Sequence, residues 1–374
     1  MIAHAFTTHM NPEDPFFAFP LLPVAPADAA VTRRSEASMV ELRDGSVLLA
    51  YSRHLGSSND NAKGSIVGLL LDEEARPITE ERELVPAPEN GFNVMSPALR
   101  RLPDGRIGML FSHRVSQQEA SRRFTASSDE GATWCEPVIV GEGAYKTGCH
   151  DRFTVHSSGR LIAPLHCTED RDSWHLYVQV ARSDDLGKTW HLSDKLELPR
   201  VHWPEGSGGP PLESGCIEPG TVERADGSLL MTIRTAMGTQ FCSESFDRGT
   251  TWTSPRSMEV ISPIAPAHLS RIPGTDDLLL LWTPVYDAKA DVGFSGARTT
   301  IMACVSSDGG RSWPPARRKI LARDLSRSVD YPTILYRGKE TWVTLRSASG
   351  RGVLEGCTST SLMKVPLAWF YETP

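Results

Sequence analysis

An eight-residue phrase recurs four times in this chain, as Ser127–Trp134 (SSDEGATW), Ser183–Trp190 (SDDLGKTW), Ser245–Trp252 (SFDRGTTW) and Ser306–Trp313 (SSDGGRSW). All copies obey Ser-x-Asp-x-Gly-x-Thr/Ser-Trp, and their first residues lie 56, 62 and 61 positions apart. A period of that size belongs to repeat architectures, in which each repeat is one supersecondary unit stacked on its neighbours. Functional groups in such a chain should recur in phase, from equivalent places in different repeats. Within the phrase, Gly supplies φ > 0 for a tight hairpin and Asp bonds its own backbone. A Ser or Thr hydroxyl closes a second local bond, and the Trp opens the next strand and buries its ring. The phrase is a folding device and carries no chemistry by itself.

A second repeat overlays the first: a turn ending in Gly, then a short apolar strand. It reads Asp44-Gly45 then VLLAY, Asp104-Gly105 then IGMLF, Ser158-Gly159 then LIAPL, and Asp226-Gly227 then LLMTI. Weaker copies are Thr275–Asp277 then LLLLW, and Gly338 then WVTLR. The first unit carries Asp72-Glu73-Glu74 where its copy of the phrase is due, and the sixth shows none. Six units of about four strands predict an all-β fold, a six-bladed β-propeller with four-stranded blades joined by the repeated hairpins. The 27 Pro and 30 Gly, spread along the chain, suit many short strands and turns. Residues 30–374 are expected to form the ring. Residues 1–29 form a Pro-rich arm (Pro12, Pro15, Pro20, Pro23, Pro26) that closes or flanks it. The loop Trp203–Leu212 (WPEGSGGPPL) is expected to overhang one face.

The net charge of -7 disfavours a general nucleic-acid surface. No apolar run approaches the length of a membrane span, and the N-terminus shows no basic segment leading into an apolar one. The seven cysteines are scattered without a C-x-x-C, as expected of reduced thiols in a cytoplasmic protein. No phosphate loop or dinucleotide fingerprint appears, so no cofactor is expected. His150, His166 and Cys167 lack a fourth ligand at a fitting spacing, so no metal is expected either. The expected state is a monomer or small homo-oligomer.

The repeated phrase is the Asp box, or BNR repeat, and over nearly its whole length the chain resembles the sialidase superfamily. In that superfamily the fourth blade carries a Glu nine residues before its turn Gly and an Arg seven after. Here Glu218 and Arg234 stand so about Gly227. The fifth blade places an Arg ten before the Asp-box Asp, and Arg298 lies ten before Asp308. A Tyr opens the inner strand of the sixth blade, as Tyr331 does in VDYPTILYRG. In the first blade an acidic loop residue follows the strand that ends in Arg; here these are Asp60 and Arg53. The family's Phe/Tyr-Arg-Ile-Pro motif sets an Arg ten before the first turn Gly, and Ser35 occupies that slot here. Arg34 is one residue off, and a shift of one residue turns a strand side chain to the other face. Glu36 lies nine before Gly45, the blade-one counterpart of Glu218, where it would repel an anionic ligand.

The resemblance implies a carbohydrate partner, with Tyr331 as nucleophile, Glu218 as its base and Asp60 as general acid/base. Arg234 and Arg298, with Arg34 or Arg53, form a carboxylate clamp. A guanidinium fork suits a carboxylate. A neutral Tyr suits a sugar whose own anomeric carboxylate would repel a carboxylate nucleophile. A free phenol, with a pKa near 10, is a poor nucleophile at neutral pH, so the contact of Tyr331 with Glu218 is decisive. Each of these side chains also has a structural reading, as strand-end, core or ion-pair residues.

A second constellation lies in unit three, GCHDRFTVHSSGRLIAPLHC. His150 sits nine before Gly159, in the register of Glu36 and Glu218, followed by Asp151 and Arg152. His150 joins the catalytic candidates as an acid or base. Arg152, Glu36 and Arg346, which ends WVTLR, join the substrate-binding ones. Unit two offers Asn93 with Ser96, and His113-Arg114 at its strand end. Three functions stay open: a sialidase-like exo-glycosidase acting on an acidic sugar, a lyase or hydrolase on a uronic-acid glycan using His150 and Tyr331, and a non-catalytic glycan-binding propeller.

Overall fold

The computed structural model describes residues 14–143, 145–169, 175–198, 215–284, 298–350 and 356–373. The loop 203–212 lies outside them. Strands dominate, and among the described residues helix is limited to short 3-10 turns such as Pro315–Arg317. The strands pair antiparallel in six successive units. The first unit is Arg33–Glu41, Val47–His54, Gly64–Leu71 and Arg82–Val85. The second is Asn93–Arg101, Ile107–Arg114, Ala120–Ser127 and Val138–Ile139. The third runs from Thr154–Val155 through Leu161–Thr168 and Tyr177–Ser183 to His191–Leu192. The fourth is Gly215–Glu223, Leu229–Thr235, Thr239–Ser245 and Arg256–Ile261. The fifth is His268–Arg271, Leu278–Trp282, Thr300–Ser306 and Lys319–Arg323.

The sixth unit takes its outer strand from the other end of the chain. Val329–Arg337, Glu340–Ala348 and Thr358–Pro366 are completed by Leu21–Ala25. Just before it, Phe16–Phe17 adds to the edge of the fifth unit along Lys319–Arg323. The N-terminal segment thus clasps units five and six and covers two sheet edges that would otherwise expose unpaired backbone groups.

The apolar residues fall into six clusters, each shared by two consecutive units. Leu48 and Ile66 of unit one pack with Leu99 and Phe111 of unit two. Met39 and Tyr51 of unit one pack with Trp342 and Leu362 of unit six. Both faces of each sheet are therefore covered, which is why the strands read as continuous apolar runs. The first strands of all six units line one cavity of about 670 Å³, through residues such as Val40, Leu99, Val155, Val222, Leu269 and Leu335.

The four Asp boxes share one hydrogen-bond pattern. In the first, Ser127 Oγ donates to Asp129 at 2.7 Å and accepts from the Gly131 N–H at 2.8 Å. Asp129 accepts from the Thr133 N–H and hydroxyl at 2.8 and 2.6 Å. The bonds from Thr133 hold the Asp129 carboxyl near 2. Glu130 and Gly131 both have φ > 0, at 58° and 83°, as a tight hairpin requires. In unit one Asp72 keeps a reduced version, accepting from the N–H groups of Glu74 and Arg76 at 3.0 and 2.8 Å.

Each box also seats on the preceding unit, because its Gly leaves room for a neighbour's side chain. A Cβ on Gly187 would lie 2.0 Å from the Phe124 ring, whereas one on Gly45 would meet nothing within 4 Å. Phe124 cannot retreat, since Phe153 and Trp190 stand edge-on to it at 6.0 and 5.5 Å. Gly187→Ala is therefore expected to cost about 3 kcal/mol in urea unfolding, from overpacking plus a left-handed backbone. Gly45→Ala, with φ at +86°, should cost only the backbone share, about 1 kcal/mol.

Candidate active site

The first strands carry a recurring β-bulge. In unit one Ser35 faces Ser52 and Ser38 faces Ala50, so Glu36 and Ala37 together oppose Tyr51. The same two-against-one step falls at Ser96-Pro97, Glu218-Pro219 and Tyr331-Pro332. The leading residue of each step has φ > 0: Glu36 at 60°, Ser96 at 56°, Glu218 at 46° and Tyr331 at 52°. Unit three holds Asp151 at 54°. Non-glycine residues adopt this conformation at a cost of order 1–3 kcal/mol, and such strain concentrates where a side chain must be aimed.

Glu218 of unit four meets Tyr331 of unit six. The Tyr331 hydroxyl donates to Glu218 Oε1 at 2.9 Å. Arg234 Nη1 donates to Glu218 Oε2 at 2.5 Å and to the Tyr331 oxygen at 3.3 Å. Arg234 faces Ile217 across the same hairpin, so one unit supplies both carboxylate and cation. Burial pushes Glu218 up, but Arg234 and His166 outweigh it and hold the carboxyl at about 2. Burial and the Glu218 charge raise the Tyr331 phenol well above 10. The pair at rest is a carboxylate hydrogen-bonded by a neutral phenol.

The Tyr331 ring is held on several sides. The Arg346 guanidinium lies 4.3 Å from its centroid and that of Arg298 5.7 Å. The His150 ring lies 5.1 Å away, tilted by 38°. Asp330, next to Tyr331 in sequence, binds both arginines. Arg346 Nε and Nη2 fork onto it at 2.7 and 2.6 Å, and Arg298 Nη1 reaches it at 3.1 Å. Arg298 Nη2 also donates to the Ile264 carbonyl at 2.7 Å.

In unit one the structure corrects the expected cation. Arg33, fully buried, reaches the site; Arg34 does not. Arg33 Nη1 donates to Asp60 Oδ1 at 2.6 Å and to the Ser58 carbonyl at 3.1 Å, while Nη2 binds Glu36. On a regular strand residues 33 and 36 would face opposite sides; the positive φ at Glu36 brings them together. Arg34 obeys the alternation and points out, to Glu81 at 3.0 Å. Arg53, its cross-strand partner, likewise turns to Glu81 and Glu83 at 3.4 Å. Glu36 does not stand as a free repelling charge: besides Arg33, it accepts from Ser96 Oγ at 2.7 Å.

Half of the Asp60 side chain is open to solvent. Desolvation works to raise its pKa, but Arg33 and then Arg114 hold the carboxyl well below the usual carboxylate range. His150 has no exposed surface and sits behind Tyr331, with the Cys149 sulfur 3.3 Å from its Nδ1. Burial and then Arg152 keep its imidazole neutral, so it is placed to pack Tyr331 rather than to touch a ligand. Arg152, expected among the substrate-binding residues, is corrected too. It runs against Gly220 and donates to His268 Nδ1 and the Ala267 carbonyl, both at 2.6 Å, tying units three, four and five together.

Arg33 and Asp330 belong to the constellation without a signal in the sequence, whereas Ser96, named there with Asn93, reaches it through Glu36. For Ser96 the signal was its register, nine before Gly105 as Glu36 is before Gly45. Among the described residues no group of three or more His, Cys, Asp or Glu is arranged to hold a metal ion.

The profile of the BNR repeat-like domain matches residues 45–341. No curated protein sequence matches the chain. A protein of unknown function from Dyadobacter fermentans is similar in structure, with a TM-score of 0.70 at 16% identity, covering 95% of this chain and 100% of that one. The NanB sialidase from Streptococcus pneumoniae gives 0.70 at 11% identity, covering 93% of this chain and 70% of that one. The intramolecular trans-sialidase from Ruminococcus gnavus gives 0.69 at 12% identity, covering 94% and 99%. At such identities the likeness speaks for the fold.

Proposed function

The chain belongs to the BNR repeat-like domain family, and from that premise we propose that it is a sialidase-like, exo-acting glycoside hydrolase that cleaves a terminal acidic sugar from a glycan. Its six antiparallel units are the blades of a β-propeller. The six cores shared between consecutive units and the six first strands around one cavity support this.

The observation that carries the activity is the Tyr331–Glu218 hydrogen bond with Arg234 on both partners. Tyr331 attacks the anomeric carbon and Glu218 takes its proton. Because the phenol is far less acidic than the Glu218 carboxyl, the proton moves as the C–O bond forms and not before. Arg234 contacts both groups and stabilises the negative charge as it passes between them. Asp60 protonates the leaving oxygen and later activates water. The neutral phenol avoids adding a charge to a site that already holds Glu36, Asp60, Glu218 and Asp330. The guanidinium groups of Arg33, Arg234 and Arg346 surround the place a sugar carboxylate would take. Arg298 supports them through Asp330.

The test is hydrolysis of a fluorogenic α-sialoside by the purified protein. Release that vanishes in Tyr331→Phe supports the reading with sialic acid as the sugar. No release from folded protein, with turnover of uronic or neutral glycosides instead, keeps the hydrolase and changes the sugar. No turnover of any glycoside tested, with sugar binding intact, overturns it.

A pH dependence follows. Asp60 must be protonated to act as an acid, and its folded pKa is depressed. Its acid form therefore falls about tenfold per pH unit above that pKa. Glu218 remains ionised above about pH 2. For substrates with poor leaving groups, kcat/KM should decline as pH rises through the acid range. Arg33→Met removes the largest cationic influence on Asp60, so the declining limb should move to higher pH.

A further inference from the structure

We infer that Asn93 and Arg114 of unit two are positioning residues that hold the Asp60 loop of unit one over the site. The inference rests on Asp60 being the acid/base group. Asp60 lies in the nine-residue connection 55–63 between the strands Val47–His54 and Gly64–Leu71. Its own unit grips its carboxylate, through Arg33. Its backbone is gripped from the neighbouring unit. Asn93 Nδ2 donates to the carbonyls of Asp60 and Ala62 at 2.7 and 2.8 Å. Arg114 Nη1 donates to the Asp60 carbonyl at 2.6 Å, and its Nη2 to Asn61 Oδ1 at 2.9 Å.

These are built contacts. Asn93 has no exposed surface and Arg114 very little. They face each other across the first hairpin of unit two, and Asn93 also pairs with Gly64 at the end of the loop. Both amide hydrogens of Asn93 go to carbonyls, which fixes the orientation of the amide, and its Oδ1 is buried without a partner. A buried acceptor left unmade costs stability, so the residue is not explained by packing alone. Inside the loop, His54 Nδ1 lies 3.1 Å from the Asn59 carbonyl. On this account Asp60 sits at a seam: unit one hydrogen-bonds its carboxylate and unit two its backbone, and the Arg114 charge acts on the carboxylate as well. Loss of the backbone grip should leave the carboxylate present but misplaced.

Misplacing an acid has a signature that general destabilisation lacks. A good leaving group such as methylumbelliferone departs without protonation; an alkyl or sugar leaving group does not. Asp60→Asn sets the reference, losing far more activity on poor leaving groups than on good ones. Asn93→Ala and Arg114→Lys, which keeps the charge but loses the guanidinium fork, should follow the same slope, with at least tenfold more loss on the poor leaving group than on the good one. Hydrogen exchange of a peptide spanning 55–63 should speed up at least tenfold in both, while exchange of the Asp-box strands stays unchanged. Unchanged loop exchange in both variants, or equal losses on all leaving groups, would overturn the inference. A uniform loss in Asp60→Asn itself would instead remove Asp60 from the acid role, and the exchange result would still decide whether unit two anchors the loop.

Discussion

Tyr331→Phe is expected to lower kcat on the best substrate by at least ~10³-fold while leaving the fold intact. The ring loses only its hydroxyl. Its contacts with His150 and with the Arg346 guanidinium do not involve the oxygen and persist. The one hydroxyl donor bond lost is that to Glu218 at 2.9 Å, and Glu218 keeps Arg234 at 2.5 Å. Unfolding free energy should therefore fall by no more than about 1.5 kcal/mol. Glu218→Gln is expected to cost ~10²–10⁴-fold, since the phenol is held far above its ordinary pKa and needs an acceptor at the moment of attack. A fluorosugar that accumulates the glycosyl-enzyme should add its mass to the tryptic peptide carrying Tyr331. An adduct on any other residue, or a Tyr331→Phe variant within tenfold of wild type, would end the assignment.

The parts of this site that were legible from sequence are those whose geometry is local. The Asp box reads directly, because its hydrogen bonds close within seven residues, as from Ser127 to Thr133. Glu218 and Arg234 read by spacing, because one hairpin carries both. Tyr331 reads from its place at the head of a strand. Arg33 did not, because counting residues from Gly45 assumes a regular strand, and the step at Glu36-Ala37 resets the alternation. That step recurs at Ser96-Pro97, Glu218-Pro219 and Tyr331-Pro332, so a residue aimed at the axis followed by Pro or Ala is the pattern to look for. Asp330 was hidden for a different reason. Its partner Arg346 faces it across one hairpin, as Arg234 serves Glu218, but its partner Arg298 comes from unit five, and no spacing within a unit links those two. Arg34 and Arg53 were drawn in by proximity to the right strand, but their common partner Glu81 lies outside the motif.

Asp330→Asn is expected to destabilise the fold by about 3–5 kcal/mol, well above Tyr331→Phe, which loses a single hydrogen bond to a carboxylate. Asp330 has no exposed surface. It is the only carboxylate, among the described residues, that hydrogen-bonds Arg298 or Arg346, and neither guanidinium is more than marginally exposed. Asparagine matches its shape but not its charge. It would leave two buried cations uncompensated and turn an N–H₂ toward one of them, so a bond is replaced by a repulsion. Two buried charges without a counterion cost more than the pair contributed when whole, because desolvation is incurred in full while the attraction is lost. Removing Arg346 as well should recover part of the loss: Asp330→Asn with Arg346→Met should be less destabilised than the sum of the two single variants, since one orphaned cation is gone. Urea unfolding of the two single variants and the double decides it. A single-variant loss below 1 kcal/mol, or strict additivity in the double, would mean that the two guanidinium groups draw their compensation from elsewhere. Asp330 would then be a strand residue that happens to lie beside the tyrosine. If the expected losses are found, the adjacency has a physical reason. One irregular strand aims Tyr331 at Glu218 while anchoring, through the preceding residue, the two cations that pack against the ring of that tyrosine.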